Sequence, residues 1–135
     1  MEPPLLVLLL SAPLEQMPQR ERIDELRAAP GVVAVDPPRM RLSATFATAV
    51  AARQAKRMKL PGVPRAIAVF DELQIPLAGA LITRHPDAEL WSLAGPEPQA
   101  DFVFDLAAEP DLRPAWERLE RLGIESGRLG SERVR

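Results

Sequence analysis

Runs of consecutive apolar residues recur along this chain, and between them apolar residues return every three or four positions. The first run is Leu5-Leu6-Val7-Leu8-Leu9-Leu10, followed by Val32-Val33-Ala34-Val35 and Ala66-Ile67-Ala68-Val69-Phe70. Two further strand-like stretches, interrupted by polar residues, occupy residues 89–93 and 101–106. Unbroken apolar runs of this length suit strands buried on both faces, which is how parallel sheets read. Helical spacing falls in residues 19–29, where Ile23 and Leu26 share a face, and in a stretch opened by Ser43 or Thr45 and running to about 59. It returns in residues 76–84 and in 111–122, where Leu112, Ala115, Trp116, Leu119 and Leu122 line one side. Pro18, Pro30-Gly31, Pro37-Pro38, Pro61-Gly62, His85-Pro86, Gly95-Pro96 and Gly123 punctuate the elements.

The resulting order, β-α-β-α-β-α-β-β-α, predicts a three-layer α/β fold. Its sheet is mostly parallel and doubly wound, Rossmann- or flavodoxin-like, with about five strands and helices on both faces. The chain reads as one domain over residues 1–135, with 124–135 a loosely packed tail. About seven residues join the fourth and fifth strands, too few for a helical crossover. Those two strands are therefore expected to be antiparallel, or one of them to lie outside the sheet.

Three of the runs end on an aspartate: Asp36, Asp71 and Asp105. At the ends of parallel strands these carboxylates, with Glu72 and Glu109, would stand on the carboxyl rim where open α/β sheets bind ligands. There they can accept hydrogen bonds from sugar or ribose hydroxyls or share a divalent cation. The plainer role for each is to turn the chain leaving its strand, as aspartate is suited to do.

Composition narrows the chemistry. With 135 residues, 47% hydrophobic and 27% charged, the chain is an ordinary globular length and mix. Its formal net charge of −2 gives no general attraction to nucleic acid. It has no cysteine and one histidine, His85, so thiolate metal sites are excluded and a zinc centre is not expected. No G-x-G-x-x-G, Walker or G-x-S-x-G string occurs, which argues against a self-sufficient dinucleotide, NTPase or serine-hydrolase site. An acid precedes the six-residue leucine-rich run, which reads as a strand and not as a signal peptide, so cytoplasmic residence is the default. The densest basic stretch is Arg53, Lys56, Arg57 and Lys59, a face suited to anionic lipid or a phosphorylated ligand, or else a solvated helix surface. His85 ends a helix, where a cation suits the dipole, and Trp91 and Trp116 fit packing.

Several strings, taken in order, resemble the amino-terminal half of bacterial GT-B glycosyltransferases of the family 4 type. Pro30-Gly31-Val32-Val33-Ala34-Val35-Asp36-Pro37-Pro38 is similar to their second-strand signature, a valine-rich strand followed by an acid and two prolines. Pro76-Leu77-Ala78-Gly79-Ala80-Leu81 with Arg84-His85-Pro86 and Glu89-Leu90-Trp91 looks like their third helix and following strand. Phe102-Val103-Phe104-Asp105-Leu106-Ala107-Ala108-Glu109 resembles their acidic strand exit, and Ser131-Glu132-Arg133-Val134-Arg135 their S-E-x-L/V element.

The resemblance implies an acceptor-binding, Rossmann-like half of an enzyme that transfers sugar from a nucleotide-sugar donor. Asp36, Asp71, Glu72, Asp105, Glu109, Ser131 and Glu132 would hold the acceptor, and Arg53, Lys56, Arg57 and Lys59 would meet membrane lipid or a phosphorylated carrier at the inner membrane face. The donor would sit on a second half, a partner domain or subunit. No cofactor or metal is then expected on this chain, and catalysis by it alone is not expected. The chain departs from the family in lacking a glycine-rich loop after its first strand and in carrying Ala107-Ala108 where an acidic pair would follow Asp105. A non-catalytic flavodoxin-like domain that binds a ligand or another protein is the alternative.

Overall fold

The first apolar run forms the hub of the sheet. The computed structural model describes residues 2–37 and 44–127, with side chains from residue 49 onward in the helix that begins at Ala44. Strand β1 (Pro4–Leu9) lies between β2 (Val32–Val35) and β3 (Val63–Val69), and β4 (Glu89–Ser92) and β5 (Phe102–Val103) follow. Every pairing is parallel, in the order β2-β1-β3-β4-β5. Helices α1 (Arg20–Arg27), α2 (Ala44–Arg57), α3 (Ile75–Arg84) and α4 (Arg113–Arg121) cover both faces. The architecture is the flavodoxin-like, doubly wound three-layer sandwich that the alternation of elements predicts.

Strand alternation explains why β1 must be apolar throughout. Leu6 and Leu8 point to one face and join Ile23 and Leu26 of α1 and Ala115, Trp116 and Leu119 of α4. Leu5, Val7 and Leu9 point to the other and join Ala51 and Ala55 of α2 and Leu77, Ala78 and Leu81 of α3. With helices on both sides, no position on β1 from Leu5 onward is left for water.

Strand β3 starts three residues before the apolar run and takes in Pro64. Val63 donates its N–H to the Pro3 carbonyl, so the next residue turns its backbone the other way. On that side β4 pairs only from Ala66, and the missing N–H of Pro64 breaks no ladder bond. Gly62 is required for a different reason: a Cβ there would collide with the Pro3 carbonyl oxygen.

Strands β4 and β5 depart from expectation. They are parallel, both belong to the sheet, and residues 93–101 join them without a helix. The short strands make this feasible. Nine extended residues reach about 30 Å, whereas the return along β4 and over one strand spacing needs only about half of that. Asp101 holds the register by accepting from the Leu90 N–H and donating its own N–H to the Leu90 carbonyl. Among the described residues no helix covers this end of the second face, and Val103 is 46% exposed.

Helix α4 ends in a Schellman turn: Gly123 (φ 76°) donates to the Glu120 carbonyl and Ile124 to that of Leu119. The turn delivers Ile124 into the core and lets the Glu125 carbonyl accept from Gly31 at the start of β2. Residues 124–127 thus pack against the sheet; the remainder of the expected tail lies outside the described residues. Thr45 falls inside α2, not at its cap, and Ser43 lies outside the described residues.

Candidate functional site at the carboxyl edge of the sheet

In an all-parallel sheet every strand ends on the same edge. Asp36 follows β2, Asp71 and Glu72 follow β3, and Asp105 and Glu109 follow β5, so all five lie on the loops of that one rim. They are spread along it. At about 4.8 Å per strand the ends of β2 and β3 stand about 10 Å apart, and those of β2 and β5 about 19 Å. Among the described residues no three Asp, Glu or His side chains converge as metal ligands. A cation shared by several rim acids is therefore not assembled.

The loops use part of this acidity themselves. One oxygen of Asp71 accepts from the Leu73 N–H at 2.9 Å and caps the 3-10 turn Glu72–Gln74. Asp105 does the same for Ala107 at 2.9 Å. These are Asx turns, the plainer role open to an aspartate that ends a strand. Each still has a second carboxylate oxygen with no partner among the described residues. Asp36, Glu72 and Glu109 are exposed. Ser131 and Glu132 lie outside the described residues.

The chain leaves β1 toward β2 on one side, and β3 lies on the other. The crevice between the ends of β1 and β3 is therefore the switch point at which such sheets bind ligands. Its floor is closed by Gln74, a buried side chain whose Nε2 donates to the Leu10 carbonyl at 2.6 Å. Ser11, Ala12 and Asp71 lie half-buried around it, and Leu73 stands beside them 78% exposed. Nothing in the sequence marks Gln74, because its partner is a backbone carbonyl 64 residues away.

The basic stretch is at the other end of the molecule. Arg53, Lys56, Arg57 and Lys59 are exposed at the carboxyl end of α2, which runs antiparallel to the strands and finishes at the edge opposite the acids. Arg65 and Arg84 are exposed at the same end, where Arg65 makes a loose 3.8 Å pair with Asp87. His85 caps α3 through its backbone N–H, which is given to the Leu81 and Ile82 carbonyls. Acid at one edge and base at the other leaves these two candidate surfaces separate.

A further cluster, also unmarked in the sequence, lies at the amino end of β4. Arg118 on α4 grips both oxygens of Glu89, through Nε at 2.9 Å and Nη2 at 2.7 Å. The guanidinium also lies 5.2 Å over the Phe102 ring. This cluster ties α4 to the edge of the sheet and is far from the rim acids.

Among the described residues no helix is long and apolar enough to cross a membrane. Comparison of the chain with protein-family models, with curated proteins and with solved structures returned no match.

Proposed function

We propose that this chain is the acceptor-side half of a GT-B glycosyltransferase and acts with a donor-binding half supplied by a partner domain or subunit. One observation carries the reading: three aspartates that end strands, Asp36, Asp71 and Asp105, share the carboxyl rim of an all-parallel sheet. The family-like strings at residues 30–38, 76–91 and 102–109 add to it. In this role the free carboxylate oxygens accept hydrogen bonds from the acceptor's hydroxyls and orient one of them toward the anomeric carbon of the donor. The nucleotide-sugar is held by the partner. The basic face of α2 at the far edge would rest on anionic lipid at the cytoplasmic side of the membrane.

A second reading, a non-catalytic domain that binds a ligand or another protein, is favoured by two details of the rim. Asp71 and Asp105 already serve their own loops, and Leu73 presents an apolar side chain to solvent beside them. A transfer assay separates the readings. The purified chain is incubated with nucleotide-sugars and simple glycoside acceptors, alone and then with the product of its neighbouring gene. Transfer in the mixture only, reduced at least tenfold by Asp71→Asn, is the expected result. A mixture without transfer, in which the chain instead forms a stable complex with another protein, would establish the second reading.

A further inference from the structure

The sheet has a place for one more helix than the described residues fill. Strand β3 reaches β4 through α3, which lies on the second face with Leu77, Ala78 and Leu81 in that core. Strand β5 continues the sheet in the same direction, and parallel crossovers are right-handed, so the connection from β4 belongs on that face too. It runs there, with Gln99 and Asp101 beside Ile75 and Leu90, but among the described residues it forms no helix. A second helix would pack about 8–10 Å from α3. In its place is a groove of about 260 Å³, with Ile75, Gly79 and Ile82 along one flank of α3 and Ala88, Leu90 and Asp101 beneath.

The edge strand fixes what this slot presents. Phe102, Phe104 and Leu106 turn into the first-face core, and alternation leaves Asp101, Val103 and Asp105 on the other side. Val103 is exposed there. Asp101 gives one carboxylate oxygen to the Leu90 N–H and Asp105 gives one to Ala107. Each keeps a second oxygen without a hydrogen-bond partner among the described residues. Four strand residues set the two aspartates about 13 Å apart, close to the 11 Å or so of two helical turns. Glu72 stands exposed at the start of α3. The cations nearby are engaged or distant. Arg118 feels the Asp101 charge but is held by Glu89, Arg65 leans on Asp87, and Arg84 ends α3 at the edge away from Asp105. The slot is apolar along its floor and acidic at its sides.

We infer that this face receives a basic amphipathic helix of a partner protein, laid beside α3 and over β5. Its apolar side chains rest on Val103 and enter the groove between Ile82 and Leu90. Lysines or arginines two turns apart along it reach Asp101 and Asp105. The groove is smaller than the sites that enclose a drug-sized molecule, about 300 Å³ and upward, and suits single side chains. The seated helix takes Val103 out of water, as α2 and α3 do for Val7 and Ile67 on the neighbouring strands. The inference rests on the uncovered face of the sheet and is independent of sugar transfer.

The test titrates a synthetic helical peptide of about 14 residues, leucine and alanine on one face and lysine on the other, into the ¹⁵N-labelled chain. Two controls replace every lysine by glutamate or shuffle the order so that the apolar face is lost. Saturable amide shifts are expected at Ile75, Gly79, Ile82, Leu90, Asp101 and Val103 with the lysine peptide, while Arg53 and Lys56 stay in place. The glutamate and shuffled peptides should bind about tenfold more weakly or worse. Gly79→Arg provides the matching variant. A Cβ at Gly79 meets nothing within 4 Å, so the chain accommodates the change, whereas its cation meets the incoming basic helix. It should weaken the lysine peptide about tenfold or more. No saturable shift at these positions up to about 1 mM peptide overturns the surface, as do equal shifts with either control. Those readouts need only the unmutated protein.

Discussion

Replacing Trp91 by alanine lowers the unfolding free energy by about 3–5 kcal/mol, the cost of removing a large aromatic side chain from a packed core. Trp91 is wholly buried in the middle of β4, in the layer that α4 closes. Its ring meets Phe102 edge-on with centroids 4.7 Å apart, and Nε1 donates to Glu89 at 3.1 Å. The substitution thus opens a cavity, removes the edge-on ring partner of Phe102 in β5 and takes one hydrogen bond from a half-buried carboxylate. Domains of this kind hold about 5–15 kcal/mol in total, so a large share of the margin goes. Urea denaturation followed by far-ultraviolet circular dichroism measures it, with a lower midpoint and an unchanged slope. A loss under about 1 kcal/mol would mean that Trp91 is not the centre of this layer.

Arg118→Ala is expected to cost about 1.5–3 kcal/mol at neutral pH, because it leaves the Glu89 carboxylate half-buried without its cation. The side chains of this pair are only 23% and 22% exposed, which removes it from the class of surface ion pairs worth little. Burial pushes the Glu89 carboxyl up. Hydrogen bonds from Arg118 and Trp91 and the charges of Arg118 and Arg121 outweigh that and hold it below the ordinary 4.5. The hydrogen bond to Glu89 in turn raises the Arg118 guanidinium, against a smaller opposing effect of burial.

The sign of the pH dependence follows. A carboxyl lowered on folding contributes stability that is complete above its unfolded value and is lost as pH falls through its folded one. The gap between the unmodified protein and Arg118→Ala should therefore be full above about pH 5 and close progressively below 4.5. Thermal melts from pH 3 to 7 measure it, and a gap independent of pH would show that packing over Phe102, not the ion pair, accounts for the effect.

The fold was legible in the sequence wherever one residue type had one reason to be where it is. Leu5 to Leu10 had to be a strand covered on both faces, and Val32 to Val35 and Ala66 to Val69 followed the same rule. Their terminal aspartates reached one edge because parallel strands leave them no other. Pairing that depends on distant parts of the chain was not legible. The direction of β5 rests on Asp101 exchanging hydrogen bonds with Leu90 and on a connection that forgoes a helix, which the rule of crossover length did not anticipate.

Within the site the same division holds. Asp36, Asp71 and Asp105 announced themselves by position. Gln74 did not, because it answers a backbone carbonyl 64 residues away.

The central claim is that the carboxyl rim is the face that receives an acceptor sugar, and amide shift mapping tests it most directly. A methyl glycoside series is titrated into the ¹⁵N-labelled chain. The account requires saturable shifts at Ser11, Asp36, Asp71 to Gln74 and Asp105 to Glu109, with Lys59, Arg65 and Arg84 at the far edge unmoved. Shifts confined to that far edge, or none at any position with any glycoside, would contradict it.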